Sequence, residues 1–324
     1  MKAITFKNTD MTPAGWSADL HLTHSQGYAY SLPTHYVFMC GENCPYATWS
    51  FLEQNVTSSL EDWCRMKFGA TSFQSTEYDV GIAVDSVWRP GIFNAKDLKS
   101  ALAFNDEELS RYSQSLRLLV ERLDEILLFI EPDTNHLGAY GHKTRDLLIS
   151  ACTEVENYFQ HFMQIAAATP ISGKFFTIKD YVRLQPKLFL DEFEIEMYAY
   201  KAIGSFSPFK NWSASSFVLP WYAAYNKTKH HRDTAFSEAS LINCINAIGA
   251  CLVLFSVRFG PTWWASNFIN SPIPDAYRLF RQPAYKGDPC KVYVPKIDFP
   301  SGANGWSRGD HSGGNSWKTM PFSL

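Results

Sequence analysis

The stretch Asn105–Pro132, NDEELSRYSQSLRLLVERLDEILLFIEP, decides the fold. Its apolar residues Leu109, Leu116, Leu119, Val120, Leu123, Ile126, Leu127 and Ile130 recur at three- and four-residue spacing, the period of an amphipathic helix. Asn105 or Asp106 offers the side-chain oxygen that caps its first turn, and Pro132 stops it. Downstream the same pattern returns from about Lys143 to Ala168. Leu147, Leu148, Ala151, Val155, Tyr158, Phe159 and Phe162 face inward there, and Asp146, Ser150, Asn157 and Gln164 face outward, until Pro170 and Gly173 end the run. A third helix starts near Pro220, because proline suits the first helical turn. It runs into, or breaks just before, a fourth at Asp233–Phe259, whose stripe is Phe236, Ala239, Ile242, Ile245, Ile248, Leu252 and Phe255 and whose stop is Gly260-Pro261. Fifty residues between the second and third helices are too many for a structureless loop, so 170–219 reads as an insertion packed on the helices.

Upstream the chain reads differently. Residues 1–98 form a small α/β region, with β-like runs at His35–Cys40 and Tyr78–Trp88 and a helix near Ser58–Phe68. The second run alternates partly, through Val80, Ile82, Val84 and Val87. Residues 263–324 form an irregular extension in which Lys291–Val294 would complete the N-terminal sheet. The Gly-, Ser- and Asn-rich tail Ser301–Trp317 reads as partly mobile. The expected architecture is therefore mainly α: a four-helix bundle at 99–262 fronted by a small N-terminal α/β segment.

Composition narrows the function classes. Of 324 residues, 46% are hydrophobic and 19% charged, an ordinary globular balance, and the high aromatic share of 15% points to a dense core. A net charge of −3 excludes global attraction to nucleic acid, so a local basic patch would have to carry any phosphate contacts. No run of about 18 apolar residues predicts a membrane span, and Met1–Asp10 lacks the apolar segment of a signal peptide. Both point to the cytoplasm, with no membrane partner. Seven scattered cysteines suit free thiols in a reducing compartment. Cys40 and Cys44, with Cys64 and His35 as further ligands, make only one tight pair where a zinc site shows two, so a turn at Gly41–Asn43 is expected and no metal. The acidic run Asp191-Glu192 with Glu194 and Glu196 reads as a solvated patch. No phosphate-cradling glycine loop, Gly-x-Ser-x-Gly or His-Glu-x-x-His occurs, so no cofactor is expected and nucleotide hydrolases, serine esterases and zinc proteases find no support.

Chemistry concentrates in Leu219-Pro220-Trp221-Tyr222-Ala223-Ala224-Tyr225-Asn226-Lys227-Thr228-Lys229-His230-His231-Arg232. On a helix Tyr222, Asn226 and His230 lie one above the other, as do Tyr225 and Lys229. A histidine can take a proton from a ribose 2′-hydroxyl or give one to a leaving oxygen. A neighbouring cation would stabilise charge on the phosphate, and an amide would orient it. The plainer reading makes Asn226 and His230 buried links between helices and the cations a solvated face. On the second helix, Glu154 is expected to pair with a cation across the bundle.

Tyr225-Asn226-Lys227-Thr228-Lys229-His230 resembles the Arg-Asn-x-x-x-His motif of the HEPN superfamily, and the likeness extends over about residues 105–260. The chain also resembles a group of uncharacterised bacterial proteins through Arg145-Asp146-Leu147-Leu148 to Glu154-Val155-Glu156 and through Leu219-Pro220-Trp221-Tyr222 to Lys229-His230. The resemblance implies an RNA-acting effector, a metal-independent endoribonuclease of the toxin or antiviral-defence kind in bacterial or phage conflict. It implies His230 as acid/base, Asn226 as orienting group and a homodimer that brings two motifs together. Where the motif has arginine this chain has Tyr225, which cannot make arginine's charged bidentate contact. Arg145, Lys229 or Arg232 would have to serve the phosphate instead. Otherwise the domain only binds, with Trp221, Tyr222 and Tyr225 packing a protein partner or a small ligand.

Overall fold

Among the described residues six strands precede the first long helix, and they overturn the expected mainly α, four-helix architecture. The fold is mixed α/β, 47% helical and 17% strand, with three sheets. The computed structural model describes residues 1–9, 26–33, 35–40, 47–52, 59–92, 95–213, 218–261, 279–297 and 317–324. The chain divides into two units, Met1–Ala103 with Gly287–Met320 and Phe104–Lys286 with Pro321–Leu324.

In the first unit β1 (Lys2–Lys7), β2 (Gln26–Ser31), β3 (His35–Cys40), β4 (Ala47–Leu52) and β5 (Thr71–Asp79) form an antiparallel sheet in the order β4-β3-β2-β1-β5. Alternate side chains of a strand face opposite ways. One face presents Phe6, Ala29, Tyr36 and Phe38 to Trp63, Cys64 and Phe68 of α1 (Leu60–Phe68). Ser59 caps that helix by accepting from the Asp62 N–H, and Gly69 closes it in the left-handed conformation.

The other face carries Tyr28, Tyr30, Val37 and Met39, also buried, and residues 292–297 return to it. Tyr30 donates its hydroxyl to the Pro295 carbonyl at 3.2 Å and accepts from the Ile297 N–H at 2.9 Å. Lys291–Val294 was expected as a strand. Instead Pro289–Lys291 is a 3-10 turn, and the residues after it bond to loops: Tyr293 N–H to the Pro90 carbonyl, Gly81 N–H to the Val294 carbonyl. The Tyr78–Trp88 run is likewise broken. The chain turns at Val80–Gly81, and only Ile82–Val84 (β6) continues as strand, pairing in parallel with Lys318–Met320. A short helix, α2 (Ala95–Leu102), ends the N-terminal part of the unit. Cys44 and 301–316 lie outside the described residues, as do the side chains of His35 and Cys40, so the metal reading and most of the mobile-tail reading fall there.

Gly91 holds the returning segment. Its φ is +116°, a region that L side chains avoid, and a Cβ there would stand 1.8 Å from the Tyr293 carbonyl oxygen. Gly91→Ala is expected to cost the first unit about 2–3 kcal/mol, seen as a lower urea midpoint with an unchanged slope. An unchanged midpoint would show that the return of Tyr293 does not depend on this approach.

The second unit opens with α3 (Asp106–Leu127), capped by Asn105 Oδ1 accepting from the Glu108 N–H at 2.8 Å. Helix α4 (His142–Ile165) follows. The connection from 170 to 219 folds into α5 (Ile178–Tyr181), α6 (Gln185–Leu188), β7 (Phe193–Glu196) and β8 (Ser205–Phe206). With β9 (Ala284–Tyr285) the strands form a small sheet, β8-β7-β9. Helix α7 (Pro220–His230), the single turn α8 (Arg232–Ala235) and α9 (Leu241–Phe259) complete the unit.

The fourth helix starts later than its stripe suggests. Its first free N–H groups, Leu241 and Ile242, donate to the Ala139 and Leu137 carbonyls, so the loop between α3 and α4 fixes where α9 begins. Helix α9 is long and apolar enough to cross a membrane, yet 83% of its apolar window is buried, and it packs on α3, α4 and α7. A helix apolar on every side is accounted for by such burial in a core.

Candidate functional site

Helices α4 and α7 run antiparallel. At the start of α7, Trp221 donates its indole N–H to the Pro208 carbonyl at 2.8 Å and packs on Phe209, which touches Phe159 of α4. One turn on, Tyr222 donates its hydroxyl to Glu156 Oε1 at 2.5 Å. Beyond α7, Phe236 meets His142 at the start of α4, the ring centroids 5.0 Å apart. From the Tyr222–Glu156 contact, eight residues carry α7 about 12 Å to His230, and eleven carry α4 about 16 Å back to Arg145. His230 and Arg145 therefore belong to the same end of the helical pair.

Along α7 the inward and outward positions separate sharply. Trp221, Tyr222, Tyr225 and Thr228 are buried, Tyr225 to 1% exposure. Asn226 is half-buried, while Lys227, Lys229, His230 and the following His231 are exposed. The three aromatic rings thus pack inside the chain's own core: Tyr222 lies 5.9 Å from Trp221 and 5.5 Å from Tyr225. Burial pushes the Tyr222 phenol well above its usual range, and the Glu156 carboxylate that accepts its proton adds to the effect. Tyr222→Phe is expected to destabilise the unit by about 1.5–3 kcal/mol, the worth of a bond to a charged group. A thermal midpoint equal to the parent's would remove that contact from the list of structural supports.

Lys229 turns back along the helix, and its ammonium donates to the Tyr225 hydroxyl at 2.9 Å while lying 5.1 Å from the ring centre. The hydrogen bond to Tyr225 holds the lysine above its ordinary value, so it remains a cation. A positive charge is thereby anchored on the Tyr225 hydroxyl. Lys227 is taken by Glu238 at 2.9 Å. Arg145 is mostly buried, 3.7 Å from Asp146, with its Nε enclosed and without an acceptor, and among the described residues no hydrogen bond joins it to Asn226 or His230. Arg232 begins α8, and its side chain lies outside the described residues.

Among the described residues Glu154 makes no ion pair with a cation across the helices; its carboxylate accepts from Asn157 on its own helix. The cross-helix charge cluster lies elsewhere and was missed by the sequence reading. Arg258 on α9, only 2% exposed, donates from Nε and Nη2 to the two oxygens of Glu108 on α3, each at 3.0 Å. His161 on α4 completes it, its Nε2 3.1 Å from Arg258 Nε and 3.3 Å from Glu108 Oε1. A neutral ring accepts from the arginine there, and a protonated one donates to the carboxylate. Burial alone would raise the Glu108 carboxyl, but His161 and the Arg258 charge outweigh it and hold the group below the usual carboxylate range. The signal was one arginine in the last turn of an otherwise apolar helix.

The thiols of Cys152, Cys244 and Cys251 are buried between α4 and α9, and burial pushes all three up, Cys244 to about 12, so none is a ready nucleophile. Among the described residues no group of His, Cys, Asp and Glu is placed to hold a metal ion. No protein-family model, no curated protein and no solved structure matches this chain.

Proposed function

We propose that the chain is a HEPN-like, RNA-acting effector that cuts a phosphodiester without a metal, in the setting of bacterial or phage conflict. The observation that carries the reading is the exposed pair at the end of α7: His230 open to solvent beside Lys229, whose ammonium is anchored on the Tyr225 hydroxyl. His230 serves as acid/base toward the ribose 2′-hydroxyl and the leaving oxygen, Lys229 faces the phosphate, and Asn226 orients it. Arg145, at the same end of the helical pair, adds positive potential from a mostly buried position. In this reading the protein works in the cytoplasm, and a second copy brings two such ends together on one RNA. The test is cleavage of cellular RNA by the purified protein in EDTA, wild type beside His230→Ala.

A second reading, a non-catalytic binding module, is favoured by the burial of Tyr225 at the position of the motif's arginine. It is set apart by the same assay, since a binding module holds RNA or a protein partner without cutting it. The surface such a module offers is not the Trp221–Tyr225 aromatic set, which the core already occupies.

A further inference from the structure

We propose that the cavity lined by Tyr198, Phe280, Arg281 and Gln282 is a nucleobase-binding subsite, an inference that rests on the RNA-acting reading and names how the strand is held away from His230. The cavity encloses about 480 Å³ and is open to solvent, room for one nucleotide. Its floor is the buried ring of Phe280. Its walls are planar groups: the Arg281 guanidinium lies 5.5 Å from the centre of the Tyr198 ring, which is 39% exposed. Arg281 is tied to β7 by backbone and side chain. The Arg281 N–H donates to the Glu196 carbonyl at 2.8 Å, and Arg281 Nε meets Glu196 Oε2 at 2.8 Å.

The half-open Tyr198 ring sets the ligand class. With its charge matched by Glu196, and with Glu194 also on β7, Arg281 is a poor clamp for a phosphate. The guanidinium covers part of one face of Tyr198, and the remainder of that ring, 39% exposed as a residue, stays open, apolar and planar. Such surfaces suit a neutral aromatic ring, and unstacked RNA bases are held on Tyr and Arg planes in this way. Gln282 at the rim carries one amide donor group and one acceptor, the pair needed at a base edge.

The experiment measures binding of a short fluorescent single-stranded RNA, 2′-O-methylated so that it cannot be cut, to the full chain. Tyr198→Ala is expected to weaken it about ten-fold, the usual effect of losing one stacked base. Tyr198→Phe keeps the ring and should keep the affinity. The same ribose-phosphate chain without bases should bind wild type and Tyr198→Ala alike. Equal affinity of wild type and Tyr198→Ala for the base-bearing strand overturns the subsite. If wild type holds no RNA at all, the RNA-acting reading fails, and free adenosine and uridine decide the cavity by saturation-transfer NMR. Transfer lost in Tyr198→Ala sustains the subsite, and absence of transfer to wild type overturns it.

Discussion

His230→Ala should reduce EDTA-resistant RNA cleavage by at least about 100-fold, the lower bound for losing a positioned acid/base group. His230 is exposed at the end of α7, so its removal leaves the core intact and the loss belongs to chemistry. Lys229→Met should cost about ten-fold or more through the phosphate charge. Tyr225→Phe, which removes only the hydroxyl that receives the ammonium, should cost less than Lys229→Met. That ordering is what separates an anchored cation from a merely nearby one. Cleavage persisting in His230→Ala would place the activity elsewhere in the preparation, and no cleavage by the parent would shift the reading to the binding module.

The second large effect is on stability. Arg258→Met leaves the Glu108 carboxylate, only 13% exposed, facing His161 without its bidentate partner. Removing one member of a buried pair costs about 3–5 kcal/mol, which lowers the melting point of the helical unit by roughly 6–20 °C at the 2–4 °C per kcal/mol usual for this size. The pH dependence has a definite sign. Glu108 is held below its usual range in the folded chain. The stability it contributes is therefore complete above its unfolded value of about 4.3, and it is lost as pH falls through the lower folded value. The gap between parent and Arg258→Met should thus be widest near neutrality and close in acid. The double variant Glu108→Gln with Arg258→Met should recover part of the loss, because it removes the stranded charge. A melting point that Arg258→Met leaves unmoved would mean the cluster contributes nothing net.

The helices were legible because their edges carry local chemistry. Asn105 caps α3 with its own side chain, and Pro220 sits in the first turn of α7. Where an edge is set from a distance, reading failed. The start of α9 depends on carbonyls at Leu137 and Ala139, a hundred residues upstream. The strands were harder. β5 reads TSFQSTEYD, nearly all polar, because Thr76 alone of its side chains is buried. β1 and β2 are buried on both faces, so the expected alternation of polar and apolar residues is blurred. At the site, helical spacing grouped Tyr222, Asn226 and His230 on one side, but only tertiary packing could say that Tyr222 points at Glu156 and His230 at water. Glu108, His161 and Arg258 lie 53 and 97 residues apart, beyond any local pattern.

The division of the chain has a consequence for its synthesis. The first unit needs residues 287–297 to cover Tyr30 and its neighbours, but about 180 residues of the second unit leave the ribosome before them. At the usual elongation rate that interval is roughly 10–40 s. The helical unit, second in sequence, can therefore have all of its residues but Pro321–Leu324 made first. Until residues 295–297 emerge, the Tyr30 hydroxyl lacks the two backbone partners it holds in the folded unit.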